Sequence, residues 1–226
     1  YGKCQCLWLK GILKREIGDQ NGAVQAIAPC ITMLEELFVS QPEVAEFLTE
    51  AHEMIVNLHY QRGDQEQAHE YSKNGLAFMD KALGKDNLKG HNLARELACT
   101  LTRQHREAEA LVYVEKWQNI LRTVYDQDSP YMVSCYFLYG QIHTHLGNYT
   151  QALKKFEEAE NVFRANKNDQ FPDAGEIYMY KAECFFPLKD FQKAQENFDK
   201  SVEYNTKRFG TPSKELADCL YRTATI

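Results

Sequence analysis

Alanine recurs at a fixed interval along this chain: Ala26, Ala68, Ala110, Ala152 and Ala194 are each 42 residues apart. A small residue returning at one period across most of 226 residues implies copies of one supersecondary unit stacked in a row, each needing a close approach at the same place. An array of this kind has no single core to outgrow, so length sets no domain count. The stretch around Ala152 shows what the unit is. Tyr136, Tyr139, Gly140 and His143 fall on one face of a helix, and Ala152, Phe156 and Ala159 on one face of the next. Between them, Gly147 can take the positive φ that ends a helix, and Asn148 is placed to cap its successor. A helical hairpin is predicted. Gly140, Ala152 and Ala159 let its helices approach at the short end of the usual spacing of about 8–10 Å, while Tyr136 and Phe156 fill the space beside them.

Extending the period gives units of approximately 3–41, 42–86, 87–129, 130–171 and 172–212, followed by a partial unit or capping helix at 213–226. In the first, helices are expected near Cys4–Ile17 and Gly22–Phe38, with Lys14 where the central unit has Gly140. In the second they are expected over Val44–Gln61 and Gln65–Leu83, and Arg62-Gly63-Asp64 between them reads as a turn and helix cap rather than an adhesion signal. In the third unit Trp117 takes a position where alanine is expected; the fifth repeats the central spacing through Tyr178, Ala182, Phe185, Phe191, Ala194 and Phe198. Connections at Pro42, Pro130, Pro172 and Pro212 place proline just before a first helix, where its missing N–H costs nothing.

Composition excludes several classes. A net charge of −6 with interleaved Lys, Arg, Glu and Asp is an ordinary solvated helix surface and argues against a nucleic-acid partner. No run of about 18 apolar residues exists to insert in a membrane, and no signal peptide is visible. Seven cysteines, with Cys99, Cys135, Cys184 and Cys219 inside helical patterns, suit a reduced cytoplasmic chain better than a disulfide framework. The chain begins at Tyr1 and stops in mid-pattern, so it reads as part of something longer.

No phosphate-binding loop, nucleophile elbow or zinc-protease signature occurs. Cys4 and Cys6 are two apart on a helix and point to different faces, as do His143 and His145, so neither pair suits a metal; His143 reads as a core histidine. His52 and His59 share a face, but two helical turns place them about 10 Å apart. Asn148-Tyr149-Thr150 matches a glycosylation sequon and is better explained as a cap. No cofactor, metal or catalytic group is expected.

The order of small and aromatic positions resembles the tetratricopeptide repeat, and the 42-residue spacing with its proline-bearing connections resembles the kinesin-light-chain type of that repeat. The resemblance implies an all-α fold, an α-solenoid of about five helix-turn-helix units with a sixth, partial unit or capping helix. It also implies a non-catalytic scaffold whose first helices line a concave groove for a peptide or helix of a protein partner within a larger complex, in the cytoplasm, in a motor, cytoskeletal or ciliary setting. Alternatively, the array is the docking or autoregulatory region of a longer enzyme. Carried onto this sequence, the groove positions include Asn57, Tyr60, Arg95, Arg103, Phe137, Gln141, His145, Met179, Glu183 and Phe186. Phe137, Met179 and Phe186 would meet hydrophobic anchors, and Arg95 and Arg103 acidic residues of the partner.

Overall fold

The computed structural model describes residues 2–166 and 174–209. Their secondary structure is helical throughout, with no strand among the described residues. The unit Tyr1–Gln104 contains α1 (Gly2–Glu16), α2 (Gln20–Phe38), α3 (Ala45–Gln61), α4 (Gln65–Leu83) and α5 (His91–Arg103). The unit from His105 contains α6 (Glu107–Arg122), α7 (Val133–His145), α8 (Tyr149–Ala165), α9 (Ala174–Phe185) and α10 (Phe191–Phe209). Within each unit consecutive helices pack on one another, and the next-but-one pairs α3 with α5 and α7 with α9 also touch. That is the neighbour-on-neighbour packing of an α-solenoid. The connections expected at Asp169–Pro172 and at Gly210–Ser213, the helix expected from Ser213, and Cys219 lie outside the described residues.

The hairpin turns have a common construction. The Gly147 N–H donates to the Thr144 carbonyl at 3.0 Å and the Asn148 N–H to the His143 carbonyl at 2.9 Å, a Schellman closure. Gly63 and Asp64 repeat it on Tyr60 and His59, Gly18 and Asp19 on Arg15 and Lys14, and Lys189 and Asp190 on Phe186 and Phe185. The position needs positive φ, which Gly18, Gly63 and Gly147 supply at 80, 79 and 74°, whereas Lys189 is forced to 62°. His105, two residues before α6, has φ 55°. The Asp19 side chain caps α2 by accepting from the Gly22 N–H at 2.8 Å. Asn148 and Asp64 stand at the N-cap position without a side-chain cap bond, so capping by those two side chains is corrected; Asp64 pairs with Arg62 at 3.1 Å instead.

This turn geometry also corrects the register of the first unit. The N–H groups of Ala68, Ala110, Ala152 and Ala194 donate to the carbonyls of the residues four before them, Asp64, Arg106, Asn148 and Asp190; in α2 the residue making that bond, to Asp19, is Ala23. Ala26, one turn later, is also buried, which is why the sequence interval looked constant. The spacing is therefore 45 residues from Ala23 to Ala68 and 42 thereafter. The insertion lies in α3, which has 17 residues against 13 in α5 and α7. Four residues are gained there and one is lost in the connector before it.

With that register, Gly11 rather than Lys14 is the counterpart of Gly140. A Cβ on Gly140 would stand 2.3 Å from Phe156 Cε1, and a Cβ on Gly11 would stand 2.4 Å from Ile27 Cδ1. Each glycine receives the large side chain that follows the marker alanine by four residues. Ala182 and Phe198 share one hydrophobic cluster at the same two positions. In the second hairpin the sizes are exchanged, with Val56 and Ser72 there, both fully buried. Volume is conserved while its owner changes.

Candidate partner-binding faces

In the unit Tyr1–Gln104 the first helices α3 and α5 are tied side by side. The Asn92 amide donates to Glu53 Oε1 at 2.8 Å, and the Tyr60 hydroxyl donates to the Glu96 carbonyl at 3.1 Å. Arg103 lies over the Tyr60 ring, 5.5 Å from its centroid. Burial, then the Glu96 charge, pushes the Tyr60 hydroxyl well above its ordinary range despite Arg103, so it stays protonated. Arg95 is exposed and donates to Glu96 Oε1 at 2.8 Å. Asn57 is exposed, Tyr60 half-buried and Arg103 exposed, so four of the expected groove residues of this unit reach solvent. Nearer α1, Trp8 meets Phe47 edge-on at 5.2 Å. These two rings, with Gln5, Leu9, Glu43, Glu46 and Glu50, line a cleft of about 570 Å³. Apart from Glu50, itself one of the groove positions that the resemblance implies, the residues of this cleft carry no such expectation. Its signal was the acidic run Glu43, Glu46, Glu50, Glu53, spaced to follow one side of a helix.

In the unit from His105 the expected apolar groove residues are corrected. Phe137 is only 9% exposed and Met179 5%. Tyr180 of α9 lies against Phe137 at 5.8 Å and against Phe156 at 6.0 Å, closing over the position that would otherwise face solvent. Met179 packs with Ala182, Ala194 and Phe198. The remaining residues stay at the surface: Gln141 and Glu183 half-buried, His145 exposed with Nδ1 3.6 Å from Glu107 Oε1, and Phe186 at 37% exposure, edge-on to Phe191 at 5.4 Å.

Burial raises the thiols of Cys30 and Cys135 to about 12 and those of Cys99 and Cys184 to about 11, so all four are protonated at neutral pH and are poor nucleophiles. His143 is buried and stacks on Tyr139 at 5.2 Å. His52 and His59 do not meet: one faces Glu35 at 3.4 Å, the other Asp64 at 3.5 Å. Cys4 is buried and Cys6 exposed. Among the described residues no three His, Cys, Asp or Glu side chains converge as metal ligands. A buried ionic cluster joins Glu160 to Lys181, to the Tyr178 hydroxyl at 2.9 Å and to Arg164 at 2.6 Å. Burial alone would raise the Glu160 carboxyl, but the hydrogen bond and charge of Lys181, with Tyr178 and Arg164, outweigh it and hold it below the ordinary carboxylate value. Every member is partnered, as a packing element should be. No helix among the described residues is long and apolar enough to cross a membrane.

Stacked helical hairpins whose first helices present exposed polar side chains define the α-solenoid class of protein-interaction scaffolds. Residues 91–165 match the tetratricopeptide repeat family. No curated protein matches its sequence. Among solved structures it is similar in fold to BtubC (BKLC) from P. vanneervenii, with a TM-score of 0.72 at 14% identity, over 91% of this chain and 82% of that one. It is also similar to kinesin light chain nearly identical TPR-like repeats from Podosopora anserina, with a TM-score of 0.69 at 13% identity, over 90% and 94% of the two chains. A third similar structure is a signal transduction ATPase with numerous domains and a tetratricopeptide repeat sensor from Pyrococcus horikoshii, with a TM-score of 0.67 at 19% identity. The match covers 97% of this chain and spans only 30% of that protein.

Proposed function

We propose that this chain is a non-catalytic scaffold that holds a peptide or helix of a protein partner against its first helices. The observation that carries the reading is the α3–α5 surface, where Asn57, Arg95 and Arg103 are exposed beside the half-buried ring of Tyr60. Interhelical hydrogen bonds fix the backbone there, so the side chains are presented on rigid elements. Arg95 and Arg103 supply planar donors for acidic residues of the partner. Gln141, His145, Glu183 and Phe186 make the corresponding surface of the other unit, with Phe186 as its apolar contact. Fold similarity to kinesin-light-chain-type repeats supports a cytoplasmic motor, cytoskeletal or ciliary adaptor as the setting. The test is an affinity capture with the folded chain, comparing wild type with an Arg95→Glu, Arg103→Glu variant of unchanged melting temperature. Partners lost from the variant support the face, and partners retained in full place binding elsewhere. The second reading, a docking region of a longer enzyme, is favoured by the sensor array of the signal transduction ATPase that this chain overlays. The sequence of the full-length transcript distinguishes the two, since a catalytic domain flanking residues 1–226 is required by the second alone.

A further inference from the structure

The cleft between α1 and α3 deepens the scaffold reading and rests on it. Its floor is aromatic, Trp8 against Phe47 at 5.2 Å, and Leu9 at its edge is 63% exposed. Its rim is anionic. Glu43, Glu46 and Glu50 all line it and all are exposed, one turn apart along one side of α3 and the short 3-10 turn Pro42–Val44 that precedes it. Glu46 reaches Lys89 at 3.2 Å; Glu43 and Glu50 form no ion pair among the described residues. Like charges one turn apart disfavour a helix by about 0.2–0.5 kcal/mol per pair, so a row compensated only at Glu46 carries a cost that a bound cation would relieve. An aromatic face attracts a cation, Trp most strongly, and an apolar side chain next to that cation would cover Leu9.

We propose that the Trp8–Phe47 cleft docks a cationic peptide segment of a protein partner, one in which arginine or lysine alternates with an apolar residue. The surface of the Tyr1–Gln104 unit is then polarised: carboxylates at the α1–α3 side receive the basic part of the ligand, while Arg95 and Arg103 on α5 receive an acidic part. A partner lying across the three first helices has one direction in which both ends are matched, which sets its register.

The test uses the full 226-residue chain and a fluorescein-labelled hexapeptide alternating arginine and leucine, followed by anisotropy. Saturable binding is expected, weakened by added salt, by alanine in place of leucine, and more strongly by glutamate in place of arginine. The Glu43→Gln, Glu50→Gln variant removes two exposed charges without touching the core and should weaken binding about three- to tenfold, the range for two exposed ion pairs. Absence of saturable binding, equal binding of the glutamate peptide, or an unchanged affinity in the double glutamine variant overturns the proposal. So does a sedimentation mass that rises with concentration in wild type and not in the variant, which would assign the cleft to a second copy of this chain. The two readings separate in the affinity capture. Partners lost with Arg95→Glu, Arg103→Glu but kept in full with Glu43→Gln, Glu50→Gln overturn the cationic cleft and leave the face. Partners kept by both variants remove the face as well.

Discussion

Replacing Gly140 with alanine adds one methyl group at the α7–α8 crossing, and the structure sets what that methyl meets. The new Cβ would lie 2.3, 2.6 and 2.7 Å from three ring atoms of Phe156. The ring is fully buried, with Phe137 on one side at 6.2 Å and Tyr180 on another at 6.0 Å, so it has no free rotamer to swing into. In an exposed helix the same change would stabilise by about 0.5–1 kcal/mol through backbone entropy. Overpacking a core costs about 1–3 kcal/mol. The net expectation is a loss of roughly 0.5–2 kcal/mol, read as a lower urea midpoint with an unchanged slope. A double-mutant cycle isolates the cause. Phe156→Leu alone opens a cavity and destabilises, but combined with Gly140→Ala the methyl fills part of the vacated space. The pair should therefore be more stable than additivity predicts by about 1–2 kcal/mol. A gain in stability from Gly140→Ala alone, or strict additivity in the cycle, would refute the argument that this contact sets the helix spacing.

Ala152→Leu places a larger side chain at a fully buried marker position and should cost on the order of 1–3 kcal/mol or more, whereas Glu157→Leu, at an exposed site on the same helix, should be nearly neutral in midpoint. Lys155, which sequence periodicity offers as an exposed control, is unsuitable because its ammonium lies 4.9 Å from the Tyr139 ring centroid and pairs with Glu158 at 2.9 Å. Lys189→Gly relieves a positive φ and should stabilise by about 0.5–1 kcal/mol, while Gly147→Ala imposes one and should cost about 1–2 kcal/mol; thermal melts of the two variants should move in opposite directions. Burial, then the nearby Lys155 charge, holds His143 below its ordinary value against the opposing pull of Glu115. The unfolded chain therefore takes up a proton near pH ~6.5 that the folded chain resists, and stability that is complete above that value falls as pH drops below it. His143→Phe, which keeps the stack on Tyr139, should lose less melting temperature than wild type between about pH 7.5 and 5.5; equal losses would remove His143 from the acid response.

Sequence made the hairpin legible where backbone and packing need one residue type. Gly147 marked a positive-φ closure, and Gly140 with Phe156 marked a close crossing. It misled where a second residue satisfied the same rule. Ala26 is as small and almost as buried as Ala23, so a register offset of three residues left the alanine series intact. It was silent where the fold strains a residue that carries no signal, as at Lys189 and His105 with φ 62 and 55°. The groove positions failed for another reason. Position rules place Phe137 and Met179 on a surface, but whether they reach water depends on Tyr180 and Phe198, which belong to a neighbouring hairpin or its second helix. The aromatic–acidic cleft had the opposite fate: its glutamates were visible as a spacing, but Trp8 is brought to Phe47 only by the packing of α1, α2 and α3.

The central claim, that partners bind against the first helices, is tested most directly by hydrogen exchange with a captured partner bound. The account predicts new protection over residues 45–61 and 91–103, the helices that carry Asn57, Tyr60, Arg95 and Arg103, with the second helices 20–38 and 65–83 unchanged. Protection confined to those second helices, with the first helices exchanging as in the free chain, would contradict it.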